Sequence, residues 1–255
     1  TTDAQPCPGA PTVTDIDGNE YNTVKIGDQC WMRESLRTTK YANGTTIALG
    51  TTPSDLIPYR YYPNDSSDNV TTYGYLYNWY AVMNGASSSY ANPSGVQGIC
   101  PTGWHVPSDA EWTQLTDYVS SQSQYVCGTD ITYIAKALAS SEGWSTYNSD
   151  YCYVGNFPSA NNATGFSALP AGAFGIYSNY TDFGSKAIFW SASDCQGRDM
   201  NKFNYSIYDF DSNYYKSCGY SVRCVKNVDN NDNSGNMGGG DNQGGTDGDD
   251  NQGGD

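Results

Sequence analysis

Eight cysteines, at positions 7, 30, 100, 127, 152, 195, 218 and 224, constrain this chain more than any other feature. They form an even set with no C-x-x-C pair, so the close spacing needed by a zinc ribbon or a thioredoxin-like centre is missing. Disulfide formation in an oxidising compartment accounts for them better. Sequence-local pairing gives Cys7–Cys30, Cys127–Cys152 and Cys195–Cys218, and leaves Cys100 for Cys224. With 255 residues the chain can bury a core of its own, so the bridges brace the fold and do not replace a core.

Charge narrows the partners. Twelve Lys and Arg stand against 27 Asp and Glu, a formal charge of -15, which excludes nucleic acid or an anionic membrane held through a basic patch. Small cations are the natural counterparts. The 23 Tyr, with 15% charged residues overall, match the balance of tyrosine-rich extracellular β proteins. No apolar run approaches the length of a membrane-spanning helix, and Thr1-Thr2-Asp3-Ala4 has neither the basic nor the apolar region of a signal peptide. The expectation is an extracellular or cell-surface protein whose signal peptide has been removed.

Composition sets off an acidic tail, 228–255, from what precedes it, an N-terminal segment 1–11 and a domain 12–227. Between Asn227 and Asp255 there are seven Asp, nine Gly and seven Asn, with no Lys or Arg. Such a stretch buries too little surface to offset its ordering entropy, so by itself it is an acidic spacer, ordered only against something outside its own fold. Asp241-Asn-Gln-Gly-Gly245 recurs nine residues later at Asp250–Gly254, but the Gly/Asp pattern of calcium-binding nonapeptides is not met.

Within the domain the pattern is α+β and rich in loops, with two short helices against an antiparallel sheet. Asp17-Gly18-Asn19 sits between alternating segments as a hairpin turn, and a second turn at Gly27-Asp28 divides a strand region from Thr23 to Trp31. Ser108-Asp-Ala-Glu111 is a capping box, and Trp112, Leu115 and Tyr118 follow at helical spacing, giving a helix over 109–120. A second helix capped by Thr129 would place Ile131, Ile134, Ala135 and Leu138 on one face. Short strands are expected at 166–169, 187–190, 203–208 and 220–225.

Six ordered blocks carry a family resemblance. They are Val13–Met32, Tyr73-Gly-Tyr-Leu-Tyr-Asn-Trp-Tyr-Ala-Val82, Cys100-Pro-Thr-Gly-Trp-His-Val-Pro-Ser-Asp-Ala-Glu-Trp112, Gly165-Phe-Ser-Ala-Leu-Pro-Ala-Gly172, Phe189-Trp-Ser-Ala-Ser193 and Ser221-Val-Arg-Cys-Val-Lys226. Together they resemble the Fibrobacter succinogenes major paralogous domain over about residues 12 to 227. That resemblance implies an exported bacterial protein, often on the cell surface. Its closing Ser-Val-Arg-Cys is similar to the ending of formylglycine-generating enzymes, which implies a C-type-lectin-like scaffold. The closely spaced copper-binding Cys pair of those enzymes is not matched by Cys218 and Cys224, and the calcium motifs of lectins are missing as well.

Candidate chemistry is sparse. His105 is the single histidine, placed just before a helix cap, and is read as a packed, hydrogen-bonded residue. Glu34, Glu111 and Glu142 could supply paired carboxylates, but nothing in their spacing brings two together, and Glu111 belongs to the capping box. Asp209, Asp211 and Asn213, and again Asp229, Asn231 and Asn233, offer alternating oxygen ligands without the Gly and Glu of an EF-hand loop. No cofactor is expected, and calcium is the one ion these oxygens would suit. Tyr59, Tyr61, Tyr62, Tyr214 and Tyr215 are candidates for stacking on sugar rings or lining subunit contacts, against the plainer reading of inward-facing strand residues.

The leading expectation is a non-catalytic extracellular structural or adhesive protein, the repeating subunit of a surface filament whose tail contacts a neighbouring copy. A lectin-like module that binds polysaccharide is the alternative, and an enzyme a minor one.

Overall fold

The computed structural model describes residues 4–194, 196–211 and 215–228. One carboxylate makes its first element. Asp15 accepts hydrogen bonds from the backbone N–H groups of Asp17 and Asn19 at 3.0 and 2.9 Å, and from the Tyr21 hydroxyl at 2.7 Å. With Gly18 in the left-handed region, this closes the expected hairpin between β1 (Thr12–Thr14) and β2 (Glu20–Ile26). The chain continues through β3 (Gln29–Met32), β4 (Ala48–Leu49), β5 (Tyr59–Tyr61), α1 (Val70–Tyr73), β6 (Leu76–Tyr77), α2 (Trp79–Met83), β7 (Trp104–His105), α3 (Asp109–Ser121) and α4 (Ala135–Leu138). After them come β8 (Ala173–Phe174), β9 (Tyr180–Thr181), β10 (Lys186–Trp190), β11 (Gln196–Asn201), β12 (Tyr208–Asp211) and β13 (Val225–Lys226).

The result is a mixed α+β fold of short strands and loops with few helices and, among the described residues, three disulfides. The main sheet runs β1-β2-β3-β13-β7, and a second runs β10-β11-β12. The last strand therefore lies inside the sheet that the first strands begin. Residues leading into β13 extend the same path: Ser221 bridges Phe189 of β10 and Tyr220 bridges Tyr77 of β6. Leu36 N–H donates to Val222 C=O at 3.0 Å and Met32 N–H to Cys224 C=O at 3.1 Å.

Helix α3 forms as its capping box specifies, with Ser108 accepting from the Glu111 N–H and Glu111 from the Ser108 N–H. Its Trp112 ring packs 4.7 Å from Trp31, 5.6 Å from Phe189 and 5.9 Å from Phe166. Tyr118 lies over the β2–β3 turn, where a Cβ on Gly27 would come within 2.9 Å of its ring. Only glycine fits there, which ties helix to hairpin.

In the middle of the aromatic cluster sits a charge. Arg223 is wholly buried, donates to the carbonyls of Met32, Phe166 and Ser167, and stacks its guanidinium 4.6 Å from Phe166 and 5.5 Å from Phe189. Burial pushes its pKa down; the three carbonyl acceptors and two ring faces favour the charged form that burial penalises.

Several expectations need correction. The second helix starts at Ala135, not beside Thr129, because Asp130 accepts from the Thr132 N–H and hydroxyl at 2.9 and 2.8 Å and holds that stretch as a turn. Ile131, expected on the buried face, is 64% exposed. Residues 166–169 contribute one bridge, Ala139 to Ala168, and not a strand. The 203–208 stretch is mostly turn, its strand pairing displaced to β11 and β12. Of 220–225, only Val225 belongs to a strand; the rest is held by single bridges and loop hydrogen bonds. From Ala4 onward the N-terminal segment packs on the domain: Gln5 bridges Lys25, and Ala4 fills the space where a Cβ on Gly165 would sit.

Cys7–Cys30, Cys100–Cys224 and Cys127–Cys152 are bonded as local pairing anticipates. The fourth expected bridge is not among the described disulfides. Cys218 is a buried free thiol among Tyr61, Tyr220 and Ile176, and Cys195 lies outside the described residues.

Replacing Arg223 with Met removes the donor of three buried carbonyls. Arg223→Met is expected to cost about 3 kcal/mol or more of stability in urea denaturation. Arg223→Lys, which keeps the charge but cannot span three acceptors, should fall between it and the native protein.

Candidate functional site

A cleft of about 470 Å³ opens where the β8–β9 hairpin leans over the second sheet. Gly172 permits this approach, because a Cβ there would lie 2.2 Å from the Thr181 carbonyl, and its φ of +69° favours glycine in any case. At the tip, Gly175 N–H donates to Asn179 C=O at 2.8 Å and presents Tyr177 to solvent.

The floor is aromatic and acidic. Ile188 of β10 stands opposite Asp199 of β11, and Phe210 of β12 packs with Trp190 and Tyr220 in a triad whose ring centroids are 4.7 to 6.0 Å apart. Burial raises the Asp199 pKa; Lys186 opposes that shift and Asp182 adds to it. Lys186 and Asp182 form an ion pair at 3.9 Å on the same wall. Facing them are Tyr215 and the Cys218 thiol, which burial pushes up in pKa against hydrogen bonds with Tyr220 and the Ile176 backbone.

Apolar groups stand at the mouth: Tyr177 is 85% exposed, with Ile176 and Tyr215 also at the surface, and on the separate 54–57 loop Leu56, 87% exposed, and Ile57 are at the surface too. The 54–57 loop is tied to the cleft through Asn78, which donates to Ser54 C=O and Ile57 C=O, while the next residue, Trp79, donates its N–H to Lys216 C=O at 3.0 Å. Asp55 is close enough to Cys218 for its charge to raise the thiol pKa. Chemically, the cleft offers ring faces and aliphatic groups around a few polar atoms.

His105 lies in a different place, at the back of a cleft of about 370 Å³ beside β13. Its Nε2 is 2.6 Å from Glu111 Oε1 and its Nδ1 2.7 Å from Asn227 Oδ1. The other Glu111 oxygen accepts from the Ser94 and Ser108 N–H groups at 3.0 and 2.9 Å. Both side chains are buried, so the packed, hydrogen-bonded histidine read from the sequence is what the geometry holds. Glu111 is more than a cap, since it also fixes the imidazole.

Other candidates scatter. Glu34 accepts from Asn22 at 2.8 and 2.9 Å, and Glu142 is exposed on a bend. Asp209 is exposed on β12 opposite Arg198; Asn213, Tyr214, Asp229, Asn231 and Asn233 lie outside the described residues, as does the side chain of Asp211. Among the described residues no three acidic, His or Cys side chains gather as a metal site. Tyr61 is not a surface contact: it is fully buried and stacked 4.0 Å from Phe174, because β5 turns it inward against β8. Tyr59 and Tyr62 are half-buried, leaving Tyr215 as the exposed described member of that set. Tyr177, Asp182, Lys186 and Asp199 were missed. An apolar pair, Ile176-Tyr177, between Gly175 and Ser178-Asn179 was the one available signal, since large side chains at a turn tip have little to pack on.

A family model described as the Fibrobacter succinogenes major domain matches residues 24–226, from β2 to β13. No curated protein and no solved structure matches the chain.

The Asp199 carboxyl gives a pH test. A buried carboxyl with a folded-state pKa above its ordinary 3.8 costs stability as pH rises through that window. Asp199→Asn is therefore expected to raise the denaturation midpoint modestly at pH 7 and to leave it unchanged near the acid end, where the native carboxyl is protonated in both states.

Proposed function

Because this chain belongs to the Fibrobacter succinogenes major domain family, and presents an exposed apolar cleft, we propose that it is an exported, non-catalytic adhesive or structural domain that works by surface contact. The observation that carries this reading is the exposure of Ile176, Tyr177 and Tyr215 at the cleft, with Leu56 and Ile57 exposed on the 54–57 loop. Grouping such side chains at a cleft is how protein surfaces prepare an interface. Three disulfides support an oxidising, extracellular setting. The use of His105 to lock Glu111 and Asn227 supports a structural role for the one imidazole.

The scaffold we assign is C-type-lectin-like. What supports it is the meeting of early and final strands in one sheet, one longer helix after β7, and long loops elsewhere. The partner we assign is a further copy of the same chain, as in a filament. The acidic segment that follows Val228 would reach that neighbour, with cations bridging its aspartates.

Sedimentation and negative-stain images of the purified full chain are expected to show multimers or filaments that grow with concentration. Leu56→Ser with Tyr177→Ser should shift them toward monomer by about ten-fold in concentration, the scale of losing one or two contact residues. Dispersed native monomers at every concentration would overturn the reading.

A further inference from the structure

The aromatic cleft carries a negative charge that its own residues do not balance. Among the described residues its charged lining is Asp182, Asp199 and Lys186, so two carboxylates face one ammonium. Lys186 pairs with Asp182 at 3.9 Å and also acts on Asp199, so one cation is divided between two acids. Lys216 is engaged elsewhere, 2.6 Å from Asp194 and 4.5 Å from the Trp79 ring centroid. Asp55, whose charge reaches the Cys218 thiol, adds to the excess.

Strand register sets the unbalanced carboxylate among rings. Asp199 lies on the central strand β11, opposite Ile188 of β10 on one side and Tyr208 of β12 on the other, and directly opposed residues share one face of a sheet. Two residues back on that face, Gly197 leaves its space to Phe210, whose ring would be 2.5 Å from a Cβ there. From the segment facing the sheet, Tyr220 is close enough for the Asp199 charge to act on its phenol, and Tyr215 stands at the mouth. The carboxylate therefore shares its cavity with the rings of Phe210, Tyr215 and Tyr220. Burial raises its pKa, as expected of a charge short of a partner.

We infer that this cleft binds an organic cation, an ammonium group on an apolar stem. The carboxylate supplies the counter-charge, ring faces attract a cation through their quadrupole, and Ile176 and Ile188 suit the stem. Calcium fits the lining less well, because it takes about six to eight oxygen ligands, and here two carboxylates are followed by rings and aliphatic groups. The volume of about 470 Å³ falls in the range of small-ligand pockets, roughly 300–1,000 Å³. This deepens the contact reading of the same cleft and rests on it, by naming the chemical group that the cleft contacts. A free amine and a lysine side chain on a partner carry that same group.

NMR titration of the full chain with n-butylammonium chloride is expected to shift the Ile176 and Ile188 methyl signals with a Kd on the order of 1 mM, the scale for so small a ligand. n-Butanol, which has the same stem without the charge, should bind about ten-fold more weakly or less, and an equal concentration of calcium chloride should not displace the amine. Asp199→Asn removes a charge that burial disfavours, so the variant folds, and it should weaken amine binding by about ten-fold. Lys186→Met, which removes the competing ammonium, should tighten it. A peptide with one lysine that binds more tightly than butylammonium assigns the cation to a protein partner; the reverse order assigns it to a free amine. No shift with butylammonium, equal binding of butanol, displacement by calcium, or native-like binding by Asp199→Asn would overturn the proposal. Assembly is read separately by sedimentation, so multimers that take no amine would sink the cation site alone, and amine binding by lone monomers would sink the self-assembly reading alone.

Discussion

The fold depends on one buried guanidinium. Arg223 reaches from the final segment to the Met32 carbonyl at the end of β3 and to the Phe166 and Ser167 carbonyls in the loop before β8. Removing such a charge from water costs several kcal/mol before any partner is found. Three acceptors and two ring faces offset that cost only when all three pieces of chain are in place. Arg223 therefore acts against partly assembled states as well as for the native one. A half-formed core would hold a charge without its acceptors.

Both clefts follow from how that segment runs. Upstream of Arg223, Tyr220 bridges Tyr77 and packs on Trp190, which makes the wall of the aromatic cleft. Downstream, Val225 pairs with Trp31 on one side and His105 on the other, so Asn227 arrives beside the imidazole. The imidazole is held by a strand and a helix cap at once, through Asn227 and Glu111. A residue placed by two elements that must both dock is a structural joint, which explains why a lone histidine here serves the fold.

What could be read in the sequence was local. The Asp15–Asn19 turn, the Ser108–Glu111 capping box and the pairing of cysteines 23 and 25 residues apart each follow from neighbours along the chain. Cys100–Cys224 spans 124 residues and was reached only by leaving it over. Where tertiary contacts decide, the pattern misled. Tyr61 sits in a run that alternates like a surface strand, yet Phe174, more than a hundred residues away, covers it. The Phe203–Tyr208 stretch has strand composition but serves as a turn that turns its rings outward, next to Tyr147 and Tyr153 from another loop. No window of sequence contains that row of rings, so no periodicity could show it.

Loop-rich folds usually sacrifice rigidity at the surface, because loops lack the regular hydrogen bonds that hold strands and helices. Here the three bridges fall where those bonds are scarce. Cys7–Cys30 ties the N-terminal segment to β3, Cys100–Cys224 closes the long path back to the main sheet, and Cys127–Cys152 joins two loops that carry exposed rings. Each restricts the unfolded chain by about 3–5 kcal/mol in the chain-entropy account. The more specific consequence is for contact. An adhesive surface made of loops would spend its binding energy on ordering itself, whereas one whose loops are already fixed by a disulfide and by glycine-permitted backbone bonds can direct that energy to the partner. The bridge that stabilises the loops thus also fixes the aromatic side chains they carry.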